Sequence, residues 1–175
     1  MKKTILWLGA LFLLAGCATA DIDRIGTVQA AAPVLSGEQK VLVALPKDGV
    51  YQNIKYDYSG QQVQQAFFEA LSFEAGNVVL ANQVQSLDDS LAYAGNIGAQ
   101  VLVYPVITHW EDRNTPWSGL RDKIRVNVQV YSVASGKVLD RTSLYATNRW
   151  VSFVNAAPAN LLKKVVNPYI KQLYR

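Results

Sequence analysis

The chain has 175 residues, of which 50% are hydrophobic, and it carries a formal net charge of +4. This composition is typical of one packed domain and argues against a disordered chain. The small charge provides no basic stripe, which argues against nucleic acid as a partner, and the single cysteine excludes an intramolecular disulfide.

The first residues predict a secretory signal peptide. Lys2 and Lys3 precede an apolar run at residues 5–14, and small residues then lead to Cys17. The run is about half of the ~20 residues that a membrane-spanning helix needs, so a permanent transmembrane anchor is the weaker alternative. A buried structural cysteine is a second alternative. The pattern resembles a bacterial lipobox, which implies that residues 1–16 are removed and that the thiol of Cys17 is acylated.

The segment after the cysteine predicts a tether. Residues 17–38 are small and weakly apolar and have no sustained period, and a single domain follows at residues 39–175. Part of the segment could instead add to the edge of the domain, because Ile25, Val28 and Val34 are able to pack. Either arrangement keeps the domain close to its membrane.

The domain opens with a strand and a helix. Residues 40–45 form a continuous apolar run, which predicts a strand buried on both faces. Ser59 followed by Gln62 predicts a capping box at the start of a helix that ends before Gly76. The apolar stripe of this helix consists of Val63, Phe67, Ala70 and Leu71.

Two further strands are predicted around a second helix. The strands lie at residues 78–80 and 100–107, and the helix runs from Ser86 to the stop at Gly98. Pro105 has no amide hydrogen to donate, so it predicts a sheet edge or a bulge at its position.

The last part of the chain changes its pattern. Residues 124–130 alternate apolar with polar side chains and pair across a tight turn with residues 138–145. A final helix begins at Pro158, and Pro168 should kink or split it. The order β-α-β-α-β-β-β-α predicts an α/β (α+β) fold, with a single mixed sheet of about five strands and helices packed on it.

The densest group of interface-type side chains lies in the segment at residues 110–122. Tryptophan and arginine often anchor protein interfaces, and a long connection on a rigid sheet is a usual place for function. The alternative is a hairpin whose charges pair with one another and whose tryptophans cover the end of the core. The candidate binding residues are Trp110, Glu111, Asp112, Arg113, Trp117 and Arg121.

A second candidate is the loop at residues 47–58, which carries Tyr51, Tyr56 and Tyr58. Tyrosines in a loop can stack on sugars or on partner proteins. They can also shield the first helix from water, and this alternative is the favoured one.

No residue pattern points to catalysis. Glu111 and Asp112 are adjacent, so on a strand they face opposite sides and cannot act as an acid–base pair. His109 is the only histidine, and only these two carboxylates lie near it in the sequence, which is too few ligands for a metal site. The sequence therefore predicts a protein that is not an enzyme and that uses no metal or cofactor.

Several segments together resemble a family of bacterial lipoproteins known as domain of unknown function 4823. These segments are the lipobox, the strand at 41–46, Tyr58-Ser59-Gly60, residues 109–113, Trp117-Ser118-Gly119 and Leu161-Leu162. The element order is loosely similar to the amino-terminal domain of the Tol-system propeller protein, to the curli-secretion lipoprotein and to lipoproteins that activate peptidoglycan synthases. Because those proteins bind other proteins, the resemblance implies action by protein binding.

The resulting expectation is a non-enzymatic outer-membrane lipoprotein that faces the periplasm as an adaptor or an envelope-assembly accessory. Ala18, in place of an aspartate after Cys17, resembles the signal for outer-membrane sorting. The expected partners are the membrane, through the lipid anchor, and an envelope protein. One alternative is a lipoprotein that binds a small ligand or a peptidoglycan-type glycan. An oligomeric unit like the curli pore is a third, although no insertion is long enough to supply pore strands.

Overall fold

A computed structural model of the protein describes residues 19–24, 34–112, 122–147 and 158–175. Within these residues, six strands form one mixed sheet with three helices packed on it, which confirms the predicted fold class. The predicted number of about five strands is close to the six observed. The predicted residues that lie outside the described ones are Cys17, Ile25, Val28, Arg113, Trp117 and Arg121.

The elements have the following bounds. The strands are β1 (Thr19–Arg24), β2 (Lys40–Leu45), β3 (Val50–Tyr51), β4 (Ile54–Lys55), β5 (Asn77–Val84), β6 (Val101–Glu111), β7 (Lys123–Ser132) and β8 (Val138–Thr147). The helices are α1 (Ser59–Ser72), α2 (Leu87–Asn96) and α3 (Pro158–Leu173). The sheet order is β1-β8-β7-β6-β2-β5, in which β2 is parallel to both of its neighbours. β3 and β4 form a separate hairpin inside the segment predicted as a loop.

Buried side chains of the described residues form two clusters, one on each face of the sheet. The larger cluster lies between the sheet and the helices α1 and α3. The smaller one lies under α2, around Leu42, Leu102 and Tyr131. Because successive residues of a strand face opposite sides, β2 sends Val41 and Val43 into the larger cluster and Leu42 into the smaller one. This double burial explains the continuous apolar run of β2.

The helix α3 begins at Pro158, as predicted, and runs without a break through Pro168. The prediction that Pro168 could split this helix is wrong. Pro168 is exposed, and burial of the opposite apolar face holds the segment in one helix despite the missing amide hydrogen. The buried residues of that face are Leu161, Leu162, Val165, Val166, Tyr169, Ile170 and Leu173.

The segment predicted as a tether lies partly in the fold. β1 pairs antiparallel with β8, and Ile22 of β1 packs against the larger cluster. The amides of Val34 and Leu35 donate to the carbonyl oxygen of Leu173 over 2.9 and 3.0 Å. These contacts correct the interpretation of residues 17–38 as a tether alone. They agree with the alternative in which part of the segment adds to the edge of the domain.

The strand β6 is longer than predicted, because it continues to Glu111 and so includes part of the segment proposed as a binding loop. Pro105 lies two residues beyond Val103, the last position that pairs with β2. A bulge follows between Ile107 and His109. The prediction of an edge or a bulge at this proline is therefore confirmed.

A buried carboxylate, which the sequence does not reveal, connects the sheet to α3. Asp140 of β8 is fully buried, and its Oδ2 accepts hydrogen bonds from Thr142 Oγ1 at 2.7 Å and from the Tyr169 hydroxyl at 2.8 Å. A buried polar group is costly unless it is hydrogen-bonded. The tyrosine therefore contributes both apolar contact and a polar bond between helix and sheet.

We expect Tyr169→Phe to lower the free energy of unfolding by about 1–3 kcal/mol, because it removes a donor to a buried carboxylate without creating a cavity. Urea unfolding of the purified mature protein measures this change. Tyr58→Phe is the matched control, since the Tyr58 side chain is exposed and its change should stay within about 0.5 kcal/mol. Equal effects of the two substitutions would contradict the role given to the Tyr169 hydroxyl.

Candidate binding surface

The strands β2 and β5 end beside each other at Leu45 and Val84, and a buried glutamine holds the two ends together. The register of this pair shifts between Val43 and Leu45. At the shift, Gln64 of α1 donates through Nε2 to the carbonyl oxygens of Val43 at 3.1 Å and of Ala81 at 2.8 Å. Because both bonds are buried, they fix α1 against the carboxyl ends of the two strands.

The chain that leaves β2 caps the start of α1. The amide of Gly60 donates to Asp48 Oδ1 over 2.9 Å, so this aspartate satisfies one of the free amides of the first helical turn. The hydroxyl of Ser59 accepts from the amide of Gly49 at 2.8 Å. The predicted capping box of Ser59 and Gln62 is therefore wrong, because a residue from a distant part of the loop takes the capping position.

Two glycines allow close contacts of this loop. A Cβ atom at Gly60 would collide with the carbonyl oxygen of Pro46. A Cβ atom at Gly49 would lie 2.6 Å from Cβ of Trp110 and 3.0 Å from a methyl carbon of Ile107. The loop is consequently pressed against α1 on one side and against β6 on the other, and this packing positions the β3–β4 hairpin.

Tyr58, the residue just before α1, combines exposure with an unusual backbone conformation. Its φ is 68°, in the left-handed region that bulky residues rarely adopt, and its side chain forms no capping hydrogen bond. The residue is 68% exposed. Unfavourable backbone conformations often occur at functional positions, so this tyrosine is a candidate contact residue.

A small network of charges lies beside this tyrosine. Lys55 Nζ is 3.2 Å from Asp48 Oδ2 and 2.7 Å from Asp57 Oδ1. Burial would raise the pKa of Asp48, but the amide of Gly60 and the ammonium of Lys55 together hold that pKa below its usual value. The hydrogen bonds from Lys55 to Asp57 and Asp48 raise the pKa of the lysine. Asp48 and Lys55 are therefore both charged at neutral pH.

Exposed apolar side chains surround the ends of β2 and β5. Val50, Val84 and Val106 are 59%, 45% and 42% exposed. Two of the cavities lined by the described residues adjoin here, with volumes of about 350 and 420 Å³. We name this region the carboxyl-end surface, and it comprises Leu45, Pro46, Asp48, Val50, Tyr58, Val84 and Val106.

The two predicted candidate segments meet at β6. The ring of Tyr51 packs edge-on against the ring of His109, with centroids 5.0 Å apart. Nε2 of His109 forms a 2.7 Å hydrogen bond with Oε1 of the buried Glu111. Trp110 is only 1% exposed and belongs to the larger core cluster, so it is not accessible as an interface anchor. This burial agrees with the alternative in which a tryptophan covers the end of the core.

The other predicted residues differ in accessibility. Tyr51 and Tyr56 are half-buried, and Tyr56 packs against the larger cluster, in keeping with the shielding alternative. Tyr58 is the exposed tyrosine of the three. Burial and then the charge of Asp122 raise the pKa of the half-buried Asp112. Among the described residues, no group of three or more histidine, cysteine or acidic side chains could hold a metal ion.

The sequence did not reveal Val84 and Val106 as surface residues. Val106 lies in the run predicted as a strand at residues 100–107, and such runs predict burial. Val84 stands between Gln83 and Gln85, outside the predicted strand at residues 78–80, so no pattern drew attention to it. Val106 is 42% exposed and lies beyond Val103, the last residue of β6 that pairs with β2. No helix in the described part of the chain is long and apolar enough to cross a membrane.

The fold is similar to those of solved structures. PelC from Paraburkholderia phytofirmans, solved as a dodecamer, is 16% identical, with a TM-score of 0.65 over 91% of this chain and 99% of that chain. Lipoprotein GNA1162 from Neisseria meningitidis is 13% identical, with a TM-score of 0.51 over 77% of this chain and 97% of that chain. The C-terminal domain of LpoB from Salmonella enterica is 13% identical, with a TM-score of 0.44 over 63% of this chain and 84% of that chain.

Two family models match the chain, one at its first residues and one over the folded domain. No curated protein matches the sequence. Residues 1–18 match the prokaryotic membrane lipoprotein lipid attachment site, which indicates a lipid-anchored protein of the bacterial envelope. Residues 34–173 match the family described as a domain of unknown function, DUF4823. The resemblance found in the sequence is thereby confirmed, and the chain belongs to the DUF4823 family.

Proposed function

We propose that this protein is an outer-membrane lipoprotein, anchored through Cys17 and facing the periplasm, that binds another envelope protein and performs no catalysis. In this role it serves as an adaptor or as an accessory of envelope assembly. The observation that carries the proposal is the group of exposed apolar side chains at the carboxyl-end surface. The lipid attachment site supports the anchor.

The distribution of exposed apolar residues supports a protein partner. Among the described residues, large hydrophobic side chains are exposed at Val50, Ile54, Tyr58, Val84, Val106 and Phe73. Four of these six belong to the carboxyl-end surface, and Ile54 lies beside it on the hairpin. Grouped apolar exposure of this kind marks interaction sites more often than scattered single residues do.

The surface also has the polar surroundings of an interface. Lys55 and the carboxylates of Asp48 and Asp57 lie at its border, so charges of both signs flank the apolar residues. An apolar centre with a polar rim is the usual anatomy of a protein interface. The valines protrude into solvent, whereas a small-molecule pocket would bury its apolar lining around the ligand.

A role in assembly is compatible with the solved structures of similar fold. The similar PelC fold occurs in a dodecamer, so a domain of this shape can present surfaces to other chains. The low sequence identity means that this likeness supports the fold and not a shared partner.

A glycan-binding function is the second candidate, and the polar lining of the larger cavity favours it. This cavity of about 420 Å³ is lined by Tyr58 and Gln61 together with the charged groups of the network. Tyrosine and polar side chains are suited to sugar rings. For a glycan binder, soluble peptidoglycan fragments should cause a saturable change in tryptophan fluorescence that Tyr58→Ala abolishes. The absence of a saturable change in the unaltered protein would contradict this candidate.

For the protein-binding function, we expect Val84→Lys and Val106→Lys to remove a specific partner. A lysine ammonium in the apolar centre would lose its hydration on binding without gaining a partner group, which weakens association. Central residues also carry most of the binding energy of an interface. The measurement is crosslinking in intact cells followed by affinity purification of the tagged protein. Phe73→Lys is the matched control, because Phe73 is 85% exposed and lies outside the carboxyl-end surface.

The partner should be recovered with the unaltered protein and with Phe73→Lys, and lost with the two valine variants. Thermal unfolding establishes that each variant is folded. Recovery of the same proteins with all four chains would contradict the assigned surface.

The membrane assignment has a separate test. We expect Ala18→Asp to move the protein from outer-membrane to inner-membrane fractions of a density gradient, because the residue after Cys17 resembles a sorting signal. Ala18→Ser is the conservative control and should remain in the outer membrane. Cys17→Ser should leave the precursor uncleaved and without lipid. Unchanged fractionation of Ala18→Asp would contradict outer-membrane sorting by this residue.

A further inference from the structure

In the sequence, one residue separates the lipid-attachment cysteine from the first strand of the folded domain. β1 begins at Thr19, so Ala18 is the single residue between the first strand and Cys17. Two residues of extended chain span at most about 7 Å. The acylated cysteine is therefore confined to the immediate neighbourhood of the start of β1, and one point of the domain is held at the membrane.

The strand register identifies the end of the sheet that this point belongs to. Thr19 pairs with Thr147 of β8, which pairs with Lys123 of β7, which in turn pairs with Glu111 of β6. These positions form one row across four strands. Thr19 and Glu111, at the two ends of the row, are three strand spacings apart, or about 14 Å. The end of the sheet that contains this row is thus the end nearest to the bilayer.

The β3–β4 hairpin lies at the same end of the sheet. Its residue Tyr51 contacts His109, two positions from Glu111, which is about 7 Å along a strand. Gly49, just before the hairpin, packs against Trp110. The hairpin, a separate two-stranded sheet, therefore packs beside the carboxyl-terminal part of β6, near the end of the row that reaches Glu111.

The hairpin and the residues that flank it have the side chains expected at a lipid headgroup layer. Val50 and Ile54 are 59% and 55% exposed. Among the described residues, the hairpin pairs with no further strand. Tyr58 adds an apolar ring with a polar end, and Lys47 is exposed for contact with phosphate. Amphipathic side chains of these types are favoured where one part meets lipid and the other meets water.

We propose that the short connection to Cys17 orients the domain so that the β3–β4 hairpin rests on the bilayer surface through Val50 and Ile54. This proposal depends on the lipid anchor of the proposed function. The hairpin contacts the lipid bilayer itself, because the anchor already holds the domain beside that bilayer. Val106 precedes Glu111 by five residues, about 16 Å along β6. The part of the carboxyl-end surface around Val106 therefore remains available to a protein partner, whereas Val50, at the hairpin side of that surface, faces lipid.

Site-specific fluorescence tests this orientation. Because acylation uses the thiol of Cys17, an introduced cysteine is the sole free thiol of the mature lipoprotein. We would label Ile54→Cys and Phe73→Cys with an environment-sensitive fluorophore and reconstitute each into vesicles of phosphatidylethanolamine and phosphatidylglycerol. Brominated acyl chains then report proximity to lipid. Phe73 follows α1, whose other end meets the hairpin loop, and it is the exposed apolar control.

Quenching at position 54 should be several-fold stronger than at position 73. Equal quenching at the two positions, with both proteins floating with the vesicles, would overturn the orientation alone. Failure to float would contradict the anchor and, with it, the orientation. Ten Gly/Ser residues inserted after Ala18 should reduce quenching at position 54, because a flexible linker of this length spans about 18 Å. Undiminished quenching would overturn the role of the short connection.

Discussion

The close approach of Gly60 to the carbonyl of Pro46 is the constraint on which the candidate surface depends. A side chain at this glycine would separate the loop after β2 from the start of α1. With the contact in place, Asp48 can reach the amide of Gly60 and cap the helix. The same loop then carries Gly49 onto Trp110, which positions the hairpin on β6. Helix start, loop and hairpin thus form one packed unit, and the position of each depends on the other two.

The buried tryptophan takes part in this arrangement. Trp110 was a candidate anchor for a partner, but it supports the loop from inside the core. Val50, an exposed residue, directly follows the Gly49 that packs on this tryptophan. A substitution of the tryptophan would therefore disturb binding through the shape of the surface, and a binding defect alone would not identify it as a contact residue.

Periodicity predicted the elements well because burial follows one rule along each of them. The stripe of α1 and the alternation of β7 required only a count of apolar positions. Contacts between distant segments were not predictable in the same way. The capping of α1 by Asp48 depends on the path of a loop, and the position of Val106 beyond the last residue that pairs with β2 depends on how the strands assemble. The continuity of α3 through Pro168 depends on the burial of its opposite face.

The pairing of β1 has a consequence for proteins crowded in one leaflet. Molecules confined to two dimensions collide side by side, and the open flanks of a sheet are the places where strands of separate molecules can join. The outer strand β1 presents the exposed acids Asp21 and Asp23, and the opposite outer strand, β5, has an irregular register. Both features disfavour strand addition. The two outer strands are therefore poor templates for a strand of a neighbouring molecule.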